Sequence, residues 1–198
     1  MTHQDSETET IARAVGSDEM AQRTLYQAHY AAAFRLAYLL LQDACDAEEV
    51  VQDTFVYLFR NLGRYDPGRG SFWAWLRVTL VSRCRNKRRR RRLSLVALET
   101  LDAGAPSAAG DPADLLELGG AQRAMWEALQ RVSPGARDAL VLRYYEELSY
   151  EEIASVLGCS PDAARARVVH GKAQLRLLLT VPEGGAAKGL VSAARVKG

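Results

Sequence analysis

Apolar residues return at helical spacing over most of the chain. From Leu25, the positions Leu25, Ala28, Ala32, Leu36, Leu39 and Leu40 form one stripe, and Val51, Phe55, Leu58 and Leu62 form a second. Each is the mark of an amphipathic helix. Asp46 stands where it would cap the second helix, with Glu48, Glu49 and Asp53 in its first two turns, where the macrodipole favours negative charge. Gly63, Pro67, Gly68 and Gly70 interrupt the pattern around Tyr65, and Ser71 opens a third helix with the stripe Phe72, Leu76, Leu80.

The period resumes at Ala121 with Ala124, Leu129 and Val132, after which Ser133 and Pro134 predict a fresh cap with proline at the first helical position. Leu140, Leu142 and Tyr144 belong to that helix. Ser149, followed three residues later by Glu152, is a capping box for a short helix ending at Leu157 and Gly158. Ser160 and Pro161 then start a last long helix through Leu179. The fold class predicted is all-α.

Between Leu93 and Gly120 lie four glycines, two prolines, five acids and no base, the composition of a linker. A chain of 198 residues fits one large domain or two small ones, and this linker favours two. The predicted units are an acidic N-terminal tail (1–20), a first helical domain (21–92), the linker (93–120), a second helical domain (121–180) and a flexible tail (181–198). Hydrophobic residues make up 48% and charged residues 25%, with mean hydropathy −0.18, which is globular and excludes a membrane protein. No apolar run approaches the ~20 residues a bilayer span needs, and the acidic start lacks a signal-peptide core, so the chain is expected in the cytoplasm without membrane insertion. Cys45, Cys84 and Cys159 are isolated and odd in number, and His3, His29 and His170 stand at no metal spacing from them. Neither a disulfide framework nor a metal site is expected, and no cofactor.

A formal net charge of +2 conceals strong segregation. From Arg60 to Arg92 there are twelve basic residues and one acid, Asp66, whereas Asp43, Asp46, Glu48, Glu49 and Asp53 form an acidic block just before them. A segment so basic calls for a polyanion.

The run from Leu148 to Arg167 reads as a helix-turn-helix. Ala154, Gly158 and Ala163 allow a tight turn, and Ile153 and Leu157 fill the angle between the helices. The second helix is then displayed outward with Arg165, Arg167, Lys172 and Arg176 against Asp162, its small Ala164 and Ala166 permitting close approach to a groove. A plain helical domain with a basic surface helix is the alternative.

These residues carry a resemblance over nearly the whole chain. Asp46-Ala-Glu-Glu-Val-Val-Gln-Asp-Thr-Phe55, Tyr65-Asp-Pro67 and Ser71-Phe-Trp-Ala-Trp-Leu76 resemble region 2 of the extracytoplasmic-function (ECF) sigma factors, and Ser133-Pro134, Arg137, Leu142-Arg-Tyr144 and Leu148 to Gly158 resemble their region 4. The resemblance implies that the chain binds bacterial RNA polymerase core and promoter DNA and is not an enzyme. No Gly-rich phosphate loop, HExxH or GxSxG is present.

Residue by residue, it implies that Asp46, Glu49, Gln52 and Asp53 dock on the polymerase, where charge alone says only that this helix start is acidic. It implies minus-10 contacts from Arg64, Tyr65, Trp73, Arg77, Asn86, Lys87, Arg88 and Arg89. Extruding a base there costs a few kcal/mol, recovered by stacking on aromatic faces. Trp73 points off the helix stripe, and stacking on DNA and covering a neighbouring helix both remain open; Trp75 reads as core. It implies minus-35 contacts from Ser160, Arg165, Ala166, Arg167, Val169, His170 and Lys172. Here Asp162-Ala-Ala164 and His170-Gly-Lys172 depart from the family pattern, and Gly171 inside a helix costs ~1 kcal/mol relative to alanine, which suggests a less rigid helix. Family members are often held by an anti-sigma factor, although nothing in the sequence identifies one. In the family the two promoter elements lie ~85 Å apart, whereas a flexible linker of this length averages only ~30 Å. A stand-alone helix-turn-helix regulator is the competing class, and it leaves the first half unexplained.

Overall fold

A computed structural model describes the backbone of residues 3–98 and 120–180 and the side chains of 7–94 and 120–180. The described residues form eight α-helices and no strand: α1 (His3–Val15), α2 (Glu19–Leu41), α3 (Ala44–Arg60), α4 (Phe72–Leu98), α5 (Gly120–Arg131), α6 (Pro134–Tyr144), α7 (Tyr150–Leu157) and α8 (Pro161–Thr180). Two 3-10 turns, Leu62–Arg64 and Pro67–Arg69, join α3 to α4.

The N-terminal body is α2, α3 and α4 packed on one another, with α1 laid across α2. Asp18 starts α2, its carboxylate accepting the amides of Met20 and Ala21 at 2.9 and 3.1 Å. Arg13 pairs with that carboxylate at 2.7 Å and helps hold it below the ordinary aspartate range. The α3 face made of Ala47, Val50, Val51, Thr54, Phe55 and Leu58 is buried, the spacing of one helical stripe. Thr54 is tolerated there because its hydroxyl donates to the Val50 carbonyl at 2.7 Å. From α4 come Phe72, Leu76, Leu80, Val81 and Cys84, all fully buried.

In the C-terminal body, α8 is the common wall against which α5, α6 and α7 pack. Leu142, Ile153, Leu157, Ala164 and Val168 form its core. The capping box is complete: the Ser149 hydroxyl accepts the Glu152 amide at 3.2 Å and Glu152 accepts the Ser149 amide at 2.8 Å. Gly158 takes φ +62, the left-handed conformation that closes a helix at little steric cost in glycine.

Three boundaries and one cap contact differ from the sequence expectation. Residues 1–20 are not a tail throughout: α1 packs Ile11 and Ala14 into the core. The cap of α3 is Asp43, whose carboxylate accepts the Asp46 amide at 2.9 Å, so Asp46 lies in the first turn. Ser133 stands at the N-cap of α6 with Pro134 at the first helical position, as expected, but its hydroxyl donates to Gln174 at 3.2 Å and makes no cap hydrogen bond. The basic helix α4 runs on through Leu98, into the segment read as linker. Residues 99–119 and 181–198 lie outside the described part.

The two bodies touch. Contacts run from α2 to α6 and from α4 to α7, and Tyr38 on α2 stacks on Trp126 of α5 with ring centroids 4.8 Å apart.

Candidate nucleic-acid interface

The amphipathic geometry of α3 separates its acids. Ala47, Val50 and Val51 point into the core, which leaves Glu49, Gln52 and Asp53 together on the exposed side. Asp46 is half-buried and faces α4, 3.2 Å from both Lys87 and Arg91. Glu49 also reaches Lys87, at 2.7 Å, but remains 59% exposed. That hydrogen bond is the main reason the Lys87 ammonium is held above its ordinary pKa. Asp53 has no cationic partner among the described residues. Of the four predicted polymerase contacts, Gln52 and Asp53 are therefore open, Glu49 is exposed but paired with Lys87, and Asp46 is occupied in tying α3 to α4.

Between α3 and α4, Tyr65 is half-buried, packed edge-on against Phe72 and tilted on Trp75, with its hydroxyl donating to the Gly70 carbonyl at 3.1 Å. Burial raises its pKa. Asp66 accepts the Gly68 amide at 2.9 Å, and Gly70 turns at φ +143, a conformation that favours glycine. Arg64, Asn86 and Arg89 are exposed.

Trp73 covers a neighbouring helix in the DNA-free chain. Its ring stacks on His29 with a 14° interplanar angle, and its indole N–H donates to Glu146 at 3.0 Å, in the turn after α6. Arg77 reaches the same carboxylate oxygen at 3.2 Å. The basic run after it is helical and its charges point to several sides. Arg83 lies over Tyr57, Arg85 donates to the Leu157 carbonyl, Lys87 and Arg91 pair with α3, and Arg88 pairs with Asp138. Arg89, Arg90 and Arg92 have no acid partner among the described residues.

On α8, the Ser160 hydroxyl accepts the Ala163 amide at 3.2 Å and caps the helix. Arg165, Ala166, Val169, His170 and Lys172 are exposed and Arg167 is half-buried. Arg165 sits 4.8 Å over the Tyr150 ring, which Arg143 also covers at 5.1 Å. Tyr150 thus orients a predicted base-reading arginine through cation–π attraction. Two expectations are corrected here. Ala164 does not line an approach to a groove but is fully buried in the core. Gly171 does not loosen the helix: a Cβ there would stand 2.7 Å from the Leu140 side chain, so glycine is what lets α8 close on α6.

Sequence reasoning missed Asp138 and Glu146, the two acids that meet the cations of α4, and the hydrogen-bonding role of Arg137. The available signal was an aspartate within the apolar stripe of α6, between Ala136 and Ala139.

The order of the two bodies is that of a known family. The model for sigma-70 region 2 matches residues 25–93 and that for sigma-70 region 4 matches 122–175. The RNA polymerase sigma factor CarQ of Myxococcus xanthus is 36% identical over 141 residues, which is 71% of this chain and 78% of that one. The chain belongs to the ECF RNA polymerase sigma factors. Another ECF relative, SigE of Mycolicibacterium smegmatis, is 35% identical over 153 residues, covering 77% of this chain and 59% of its own, so the chain spans only part of that relative's length. The structure of CnrH, solved in complex with the cytosolic domain of CnrY, matches with TM-score 0.57 and 27% identity over 86% of this chain and 94% of that one. Sigma factors are not enzymes. No described helix is long and apolar enough to cross a membrane.

Proposed function

We propose that this ECF sigma factor directs bacterial RNA polymerase core to specific promoters and helps to open them, acting in the cytoplasm. The exposed acidic row on α3 beside the cationic faces of α4 and α8 carries this reading, because one surface suits a basic protein groove and the other two suit DNA. Glu49, Gln52 and Asp53 dock on core polymerase, with Asp46 fixing the helix that presents them. Arg64, Tyr65, Trp73, Arg77, Asn86, Lys87, Arg88 and Arg89 serve the minus-10 element. The glycine-rich turn between α3 and α4 supports base capture, since backbone there approaches a flipped nucleotide without side-chain interference. Phosphate contacts from the arginine run supply grip, and sequence discrimination falls to α8.

Ser160, Arg165, Ala166, Arg167, Val169, His170 and Lys172 read the minus-35 element from the major groove. The exposed side of α8 supports this, as does the packing of α7 behind it. CnrH was solved in complex with the cytosolic domain of CnrY, and sigma factor RpoE of Bartonella quintana in complex with the anti-sigma factor NepR; an anti-sigma partner is proposed for this chain as well. Run-off transcription with purified core polymerase tests the function. Transcripts from a cognate promoter are expected only when the chain is added; a chain that binds DNA but yields none is a stand-alone regulator.

A further inference from the structure

An arginine-lined cleft lies between α4 and the C-terminal body. It measures about 770 Å³ and is walled by α4, the end of α2, the start of α6 and one residue of α8. Two acids reach it, and both are already paired. Asp138, whose side chain is only 3% exposed, is gripped by Arg88 in a two-pronged pair at 2.8 and 2.5 Å, and Asp46 accepts Arg91 at 3.2 Å. The walls are tied to one another, because Arg88 and the buried Arg137 donate to the same Leu40 carbonyl at 2.9 and 3.3 Å. Four further arginines line the cleft, Arg85, Arg89 and Arg92 from α4 and Arg167 from α8, and none has an acid partner among the described residues. Arg85 gives one N–H to the Leu157 carbonyl at 2.7 Å and keeps the rest of its fork.

We propose that this cleft is a binding site for a short linear polyphosphate, whether inorganic or carried by a nucleoside triphosphate. Arg85, Arg89 and Arg92 stand at i, i+4 and i+7 along α4, a row about 10 Å long, which suits a run of linked phosphates better than a single one. Each guanidinium presents a planar fork matched to phosphate oxygens, and Arg167 lines the same cleft from the other body. The start of α6 adds a neutral donor. Pro134 has no N–H and Ser133 makes no cap hydrogen bond, so the Gly135 amide in the cleft wall stands open at the positive end of its helix.

Size and lining set the class of ligand. A cleft of this volume takes a small molecule, and charge of one sign in a cleft focuses its field on an anion held there. No aromatic ring is among the lining residues, so nothing in the cleft is built to stack on a base. The phosphate chain is therefore what is recognised, and a base adds nothing. Arg89 and Arg167 also belong to the proposed promoter contacts, but the inference does not rest on that reading and its test contains no DNA.

The test is isothermal titration calorimetry on the full chain at low salt without divalent cations, with sodium tripolyphosphate, ATP, orthophosphate and adenosine as probes. Tripolyphosphate and ATP should each bind once per chain with similar affinity, orthophosphate about tenfold more weakly or worse, and adenosine not at all. Loss of one charge-assisted contact weakens binding by about tenfold. Arg92→Gln should lose about that much, and Arg92→Gln/Arg167→Gln, which takes one arginine from each body, about a hundredfold. Arg90→Gln is the matched control, because Arg90 is exposed in the same arginine run but does not line the cleft; this variant should bind tripolyphosphate like the parent. Arg92 is itself exposed, so its single variant decides the matter if circular dichroism finds the double variant unfolded. Several weak equivalents per chain, orthophosphate as tight as tripolyphosphate, or equal losses from Arg90→Gln and Arg92→Gln would mean a charged helix without a site and overturn the inference. ATP bound far more tightly than tripolyphosphate would overturn recognition of the phosphate chain alone. Absence of run-off transcripts would overturn the proposed function and leave the calorimetric result standing.

Discussion

Helices α4 and α8 are both long and both cationic, yet several of their cations are held by contacts of different kinds. On α8, the predicted DNA contacts Arg165 and Lys172 are exposed and rest on tyrosine rings, Tyr150 and Tyr144. On α4, Lys87 and Arg91 pair with acids of α3, and Arg77 and Arg88 pair with acids of the C-terminal body. Aromatic contact orients a cation without neutralising it, whereas a carboxylate must be displaced before the cation can take a phosphate. Counting basic residues along a sequence therefore measures capacity, and the structure decides availability.

The sharpest way to break the comparison is on α3, which supplies α4 with its acids and keeps one exposed row for a partner. Asp53→Arg should abolish co-purification with core polymerase, a loss of a hundredfold or more, since a reversed charge in a complementary interface repels as well as removing an attraction. Asp46→Arg should act instead on the pairing of α3 with α4, and lower the melting temperature. Equal polymerase binding by the Asp53 variant and the parent removes the docking assignment.

The second test addresses α8 as a platform. Gly171→Val drives a branched side chain into Leu140, where a Cβ alone would sit at 2.7 Å. Overpacking of this kind costs ~1 to 3 kcal/mol, and the helix-propensity gain over glycine offsets only part of it. A fall in melting temperature with loss of duplex binding is expected; a gain in stability would restore the reading of Gly171 as a weak point.

Much of the fold was legible because it is local. The stripes of α3 and α4, the capping box at Ser149 and the αL glycine at 158 are all set by residues within one or two turns, whereas the expected α2 stripe holds only in part: Leu25, Leu36 and Leu40 are buried, Ala28 is exposed, and Ala33 and Ala37 are buried instead. The errors share a cause in competing local solutions or distant partners. Asp43 and Asp46 are both acceptable caps, and only the start of α3 on the core chooses between them. Gly171 looks costly until Leu140, on another helix, is placed beside it. The contacts between the two bodies were invisible for the same reason: Arg88 and Asp138 are 50 residues apart, and Arg137 and Leu40 are 97 apart. Periodicity carries no information at that range.

Arg165 sharpens the comparison at a single side chain. Arg165→Ala should cost ~1 to 3 kcal/mol of binding at the minus-35 element and relax preference at one base position. Tyr150→Leu keeps the arginine but removes its ring, so a smaller loss of about 0.5 to 1 kcal/mol is expected, at the same base position. Binding measured across a set of single-base promoter variants separates the outcomes. Uniform weakening over all bases would mean that Arg165 touches phosphate alone.

The smallest effect concerns the cap that sets the angle of α7 behind α8. Hydrogen bonds from the Ser149 backbone and hydroxyl hold the Glu152 carboxyl below its ordinary value near 4.5. The folded state therefore favours the ionised form, and the sign follows: this contribution is fully present above that ordinary value and fades as pH falls through the lower folded one. Ser149→Ala removes the hydroxyl and should cost about 1 kcal/mol at neutral pH, read as a lower denaturant midpoint with an unchanged slope. Because Glu152 then loses one of the bonds that favour its charge, the pH dependence of the variant should be shallower between neutral and mildly acidic solution. A variant as stable as the parent at neutral pH would show that packing of Ile153 and Leu157 alone sets how α7 supports α8.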